Sequence, residues 1–290
     1  MVRGWYTGAS GMNAQQHRMD QISNNLANVD TTGYKRDQSV HKAFPELLLR
    51  RMNDDGLRSL PLSGRDPVLG SFDTAPIVGR LGTGVEQNEV YTDFDQGTVR
   101  QTDNPLDLAL DGEGFFLVET PQGERLTRNG TFHRSPEGLL VTKEGYPVLG
   151  ENGYIEIQEN NFDIDEDGRV TRNATLAEDS DRLVSQRENQ WEESEEIDRI
   201  QLVDVDNPRY LEKQGSSLWA STWDSGEQQI IDAGERPQVL QGFLETANVN
   251  PVREMVEMIE VNRAYEANQR VVQTHDESTQ QLLNTVLRAR

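Results

Sequence analysis

Apolar positions at the start of the chain recur at intervals of seven. Trp5, Met12, Met19 and Leu26 form one row, and Gly8, Gln15, Ile22 and Val29 fall between them. Steps that alternate between three and four residues mark the seam of a helix packed with left-handed crossing. The pattern predicts a helical segment over 1–38, with Thr7 or Ser10 as its cap and Gly33 closing the helix or the turn behind it.

The end of the chain repeats the theme. Asn250-Pro251 is a helix start, with Asn as cap and Pro at the first helical position. From there no Gly or Pro intervenes. Met258, Tyr265, Val272, Thr279 and Val286 fall at sevens. Their partner row, Met255, Asn262, Gln269, Asp276 and Leu283, is largely polar. Two readings of that row stay open: the solvated edge of a surface helix, or buried polar groups that set helix register. A helix of about 37 residues reaches about 55 Å, too long for a compact small domain.

Between these ends the period changes. Turns at Gln96-Gly97-Thr98, Asp111-Gly112-Glu113-Gly114, Pro121-Gln122-Gly123, Asn129-Gly130, Pro136-Glu137-Gly138 and Glu144-Gly145 separate short apolar runs at 106–110, 115–118 and 139–141. Such spacing predicts antiparallel strands. The expected class is therefore α+β. Its parts are an N-terminal helix over 1–38, an extended arm over 39–79, a β-rich domain over 80–245 and a C-terminal helix over 246–290. Within the β-rich part, 173–199 is acidic and weakly patterned, which suggests a solvated insertion.

Charge sharpens this division. The 290 residues carry 28 Lys plus Arg against 50 Asp plus Glu, a formal charge of -22. Residues 1–60 hold 8 basic and 6 acidic groups, whereas 151–207 hold 5 and 18. The ends are close to neutral and the middle is acidic, which keeps self-repulsion away from ends that pack on copies of themselves. An acidic chain also lacks the basic face that nucleic-acid binding needs. Hydrophobic residues make up 34%, enough for one modest core. There is no cysteine, so disulfides and thiolate metal sites are excluded. No apolar run has the length of a signal peptide core or a membrane span.

Candidate chemistry is thin. Asp163 to Thr171 opens like a calcium loop, but position twelve is Ala174 where a bidentate acid is required. A hairpin turn at Asp167-Gly168 is the simpler reading. Asp111-Gly112-Glu113-Gly114 lacks the third glycine and the helix of a dinucleotide loop. His17, His41, His133 and His275 share no ligand spacing. No catalytic residue, cofactor or metal is expected.

Three stretches carry a resemblance. "GASGMNAQQHRMDQISNNLANVDTTGYKR" (8–36), "TDNPLDLALDGEGFF" (102–116) and "GFLETANVNPVREMVEMIEVNRAYEANQR" (242–270) resemble, in order and spacing, the signatures of the bacterial flagellar rod and hook family. That resemblance implies paired terminal helices in a coiled-coil-like core domain lining a tube, with the β-rich domain outside. It implies a structural subunit that polymerises into a torque-transmitting axial shaft around the export channel. The one-domain middle and the length fit a rod subunit better than a hook subunit, and the opening "RGWYTGASGM" (3–12) with the acidic middle favours a proximal place in the rod over a distal one. The implied partners are copies of itself, other rod and hook subunits and the flagellar export apparatus, with no nucleic acid and no membrane insertion. Export without a cleaved signal, into the periplasm-spanning rod, is implied too. A secreted β-domain binder on a helical stalk is the alternative of another class.

The implied subunit interface comprises both seams. On the N-terminal side it takes in Trp5, Met12, Met19, Ile22, Leu26 and Val29, the turn residues Gly33 and Tyr34, and the stripe Asn24, Asn25 and Asn28. On the C-terminal side it takes in Met255, Met258, Asn262, Arg263, Tyr265, Glu266, Gln269, Val272, Leu283 and Val286. Asn is a poor residue for a helix interior. The stripe is therefore expected to pair its amides with neighbouring subunits.

Overall fold

The computed structural model describes residues 2–44, 46–50, 77–159, 161–174, 194–231 and 236–288. Most of the expected arm, and residues 175–193 of the acidic insertion, lie outside these. The described chain is α+β: one helix at each end and a β-rich middle.

Helix α1 spans Val2–Ala27 and α2 spans Pro251–Arg288. The start of α2 follows the sequence signal, since Asn250 Oδ1 accepts from the backbone N–H of Val252 at 3.1 Å and of Arg253 at 3.2 Å. The start of α1 does not. Thr7 and Ser10 lie inside the helix, and their hydroxyls serve other purposes: Thr7 donates to the carbonyl of Thr83, and Ser10 accepts from the backbone of Val85. Nor does α1 run to 38. A turn follows Ala27, and a strand, Arg36–Ala43, begins within the predicted helical segment. Its sequence, RDQSVHKA, has no apolar alternation to announce it. Gly33 makes the turn possible. Its φ is +64°, and a Cβ there would lie 2.5 Å from the backbone of Arg128 and Asn129.

Two compact units can be distinguished. One comprises Met1–Asp20, Ser39–Val90 and Glu257–Arg290; the other comprises Gln21–Gln38 and Tyr91–Val256. In the first, α1 and α2 run antiparallel at close range. Arg18 pairs with Glu257 at 3.8 Å. Gly8 faces Val272, Gly11 faces Asn268 and Gly4 faces the His275 ring. The same unit holds the antiparallel ribbon Glu46–Arg50 with Ile77–Gly82.

The second unit is built on a six-stranded sheet. Its order is Glu212–Lys213, Leu218–Ala220, Gly123–Thr127, Phe115–Thr120, Leu202–Asp204, Gln229–Ile230. Strand 115–120 is buried on both faces. Phe116 and Val118 enter one cluster with Leu108, Phe132, Leu140, Val148, Ile155 and Leu202; Phe115 and Leu117 enter another with Leu126, Val203 and Trp219. Alternate residues of a strand point to opposite faces, so one apolar run feeds two cores. Phe94 and Phe115 stack edge-on at 5.4 Å, and Phe94 lies 5.5 Å from the Trp219 ring. The expected hairpin at Asp167-Gly168 forms, with Gly168 at φ +76° joining strands Asp163–Ile164 and Arg169–Asn173.

Candidate assembly surface and terminal junction

On each long helix, one of the two heptad rows read from sequence faces inward and the other is displaced by one residue. A row of buried and half-buried positions on α1 runs through Gly4, Gly8, Gly11, Gln15, Arg18, Ile22 and Asn25, with Ala14 buried beside it. They keep the three-four steps of a seam. The row Gly8, Gln15, Ile22 is the one expected. Beside it Gly4, Gly11, Arg18 and Asn25, each one residue before Trp5, Met12, Met19 and Leu26, are also buried or half-buried. Trp5 is exposed, and Met12, Met19, Leu26 and Val29 are half-buried. The physical reason is approach distance. A Cβ at Gly8 would lie 2.8 Å from Val272 Cγ2, and one at Gly11 would lie 2.8 Å from the Asn268 amide. Glycine costs about 1 kcal/mol in a helix interior, so close backbone contact must offset that cost here.

Helix α2 shows the same displacement. Met258, Tyr265, Val272 and Thr279 are half-buried as expected. Their inward partners are Glu254, Val261, Asn268 and His275. The predicted partner row Met255, Asn262, Gln269, Asp276 and Leu283 is exposed, as are Arg263 and Glu266. Val286 lies in α2, with its side chain outside the described residues. Within the single chain that polar row faces outward, which is compatible with both readings of it. Exposed apolar side chains accompany it: Val252, Met255, Val256, Ile259, Val271, Leu282 and Leu283.

The asparagine stripe divides. Asn25 is 1% exposed, and its amide is satisfied inside the chain. Its Nδ2 donates to the Asp37 carbonyl at 3.0 Å and to Glu254 Oε2 at 3.4 Å, while its Oδ1 accepts from the Tyr34 hydroxyl and the Asp37 N–H. The Asn25 amide thus already has its partners within its own chain. The tight turn at Gly33 carries residues 34–37 back against the helix, so the partners come from the same chain. Gly33 and Tyr34 are likewise buried here. Asn24 is exposed and Asn28 half-buried, joined by Asn28 Nδ2 to Asn24 Oδ1 at 2.8 Å. With Thr31, Thr32, Asn129, Lys143 and Lys213 they line a cleft of about 680 Å³. Its wall includes Ser216 and Ser217 at φ 48° and 55°, a left-handed pair of the kind found in tight hairpin turns.

Sequence reasoning missed the charges at this junction. Lys35 is fully buried and its Nζ lies 2.5 Å from Glu245 Oε1. Burial lowers the Lys35 pKa, and Glu245 opposes that shift. Arg128 approaches Glu245 Oε2 at 3.6 Å and lies over the Phe115 ring at 5.3 Å. Burial lowers its pKa as well, again opposed by Glu245. Arg36 pairs with Glu254 at 2.7 Å. Burial raises the Tyr34 pKa, helped by the charges of Asp37 and Glu254. Lys35, Arg36, Glu245 and Glu254 all fall within the family-like stretches. In a chain with 50 acids, however, no spacing singles out two of them. Among the described residues, no group of His, Asp and Glu is placed to hold a metal ion, and no helix is long and apolar enough to cross a membrane.

Comparison with known proteins locates three matches along the chain. Residues 6–35 match the family described as flagella basal body rod protein, 109–172 the flagellar hook protein FlgE/F/G D1 domain, and 240–285 the flagellar basal body rod FlgEFG protein C-terminal. The chain is 34% identical over 288 residues to the flagellar basal-body rod protein FlgG of Buchnera aphidicola subsp. Schizaphis graminum, covering 97% of this chain and 99% of that one. It is 32% identical to FlgG of Borreliella burgdorferi, over 95% and 96% of the two chains. To FlgF of Caulobacter vibrioides it is 33% identical, over 92% and 91%.

Proposed function

The chain belongs to the flagellar basal-body rod protein family, and we propose that it polymerises through both terminal helices into the axial shaft that carries torque around the export channel. It is a structural subunit of the rod and not an enzyme. Assembly with other rod and hook subunits follows from the family.

One observation carries the proposed mode of assembly. The two long helices pair through the glycine-lined side of α1 and leave apolar side chains uncovered. Isolated surface helices turn such faces toward a core. Here Trp5 on α1, and Met255, Val256, Ile259 and Leu283 on α2, remain exposed. In the assembled rod these faces meet other subunits, together with Asn262, Arg263, Glu266 and Gln269. The paired helices then act as a coiled coil, with the heptad rows described above. Asn24 and Asn28, at the mouth of their cleft, are the asparagines left to bond a neighbour.

The chain reaches the periplasm-spanning rod through the flagellar export apparatus. Its relatives include proteins named FlgG and FlgF, and the sequence favours a proximal place over a distal one. Cryo-electron microscopy of isolated basal bodies tests all of this. The expected result is density for α1 and α2 on the channel side, with Val256 and Ile259 at contacts between subunits. Density adjoining the hook would place the chain distally instead. A monomer retained on a glycan column and missing from the rod would favour the stalked binder.

A further inference from the structure

Two adjacent cations, Lys35 and Arg36, turn to opposite sides, and each meets a glutamate of the C-terminal stretch. Lys35 takes Glu245 and Arg36 takes Glu254. Each glutamate is held by a further group. Glu245 Oε1 also accepts the Gly97 N–H at 2.8 Å, and Glu254 Oε2 accepts from Asn25. The backbones are tied as well: Gly33 N–H donates to the Glu245 carbonyl at 2.9 Å, and Arg36 N–H donates to Asn248 Oδ1 at 2.7 Å. Apolar packing is slight by comparison, a small cluster of Tyr34, Ala247 and Val249 against Val29.

We infer that Lys35 and Arg36, with Glu245 and Glu254, form a two-sided polar clasp that makes closure of segments 21–38 and 244–256 conditional on each other. The reason is how buried charge responds to a missing partner. Partial opening of an apolar surface costs in proportion to the area that meets water. A buried ion whose partner leaves is stranded, and the penalty far exceeds what the pair contributed. Lys35, Glu245 and Glu254 are each at most 1% exposed, so water cannot take the partner's place. A half-closed junction is thus worse than either an open or a closed one. The adjacency of Lys35 and Arg36 links the two pairs, because one stretch of backbone positions both. The clasp lies entirely within one unit and involves no neighbouring subunit. It is tested on the purified monomer, where success or failure of rod assembly plays no part.

Hydrogen exchange of the full chain, read by segment, decides the matter. Arg36→Met strands Glu254. Exchange should rise about a hundredfold in both 21–38 and 244–256, including 244–249 on the Lys35 side, while strands 115–120 and 123–127 stay protected. Arg36→Met combined with Glu254→Leu strands no charge and should restore most of the protection in both segments. A rise confined to 250–256 in the single variant would overturn the clasp. So would a double variant that exchanges as fast as the single. If Arg36→Met fails to fold at all, the double variant alone decides: protection regained in both segments supports the clasp, and protection absent from either refutes it.

Discussion

The sheet of the second unit and the helix pair of the first use their apolar residues in opposite ways. Around the sheet, Phe116, Phe132, Leu202 and Trp219 are fully buried by their own chain, and strand 115–120 supplies two clusters at once. In the helix pair the closest approaches come from Gly4, Gly8 and Gly11, while Trp5, Ile259 and Leu283 face outward. One region completes its core within the chain. The other brings two backbones close together and leaves its apolar surface for something else. A subunit that must be stable alone and still polymerise benefits from keeping these roles apart, because damage to one need not reach the other.

The most severe break falls on the sheet. Trp219→Ala removes the ring that Phe94 and Phe115 pack against, and should cost about 3–5 kcal/mol in denaturant unfolding of the purified chain. If the loss were small, the second cluster would not be the self-sufficient core described above.

The helix pair is probed by Gly8→Leu. With Val272 Cγ2 already at 2.8 Å from the position of a Cβ, the helices must separate. Overpacking of this kind costs about 1–3 kcal/mol. Helical circular dichroism of the monomer should fall while the sheet's unfolding midpoint stays put. A joint shift of both signals would show the two regions to be coupled.

The asparagine stripe sharpens the contrast at single residues. Asn25→Ala leaves the Tyr34 hydroxyl and the Asp37 N–H without their acceptor, and should destabilise the monomer by about 1–3 kcal/mol. Asn24→Ala with Asn28→Ala should change monomer stability by a few tenths of a kcal/mol per site. Its effect should appear in motility and rod length. Motile cells with normal rods would leave Asn24 and Asn28 as a solvated edge.

The smallest effect expected is on pH dependence. His41 belongs to the first unit, and its pKa is lowered by burial, then by the nearby charges of Arg18 and His17. With the folded pKa below the unfolded value of about 6.5, the unfolded chain binds more protons in that window. Stability should therefore fall as pH drops below 6.5, and His41→Gln should flatten that part of the profile. An unchanged slope in thermal melts between pH 7 and 5 would remove His41 from the account.

Much of this was legible from pattern alone. Period seven at both ends announced the helices, Asn250-Pro251 marked the start of α2, and the Gly-bearing turns announced the antiparallel strands. These features are local: a cap, a turn or a run of side chains is settled within a few residues, whatever lies elsewhere. Which side of each helix faces inward was not local. Hydrophobicity favours Trp5, Met12 and Met19 over Gly4 and Gly11, although close approach of α2 uses Gly4 and Gly11 as well as the expected Gly8. The strand Arg36–Ala43 has no alternation, and forms because the Gly33 turn delivers it to a partner, Val85–Asp93.

Charge pairing lies furthest from the reach of sequence. Lys35 and Glu245 are separated by 210 residues, and nothing in either neighbourhood sets them apart from the other charges of a chain at -22. Composition and period determined that this protein has two helical ends, a turn-punctuated β middle and no visible catalytic pattern. Only the tertiary structure decided that Asn25, Lys35 and Glu254 are interior. Burial of a polar group is tolerable only where its partners converge, and partners so distant in sequence converge only once the chain has folded.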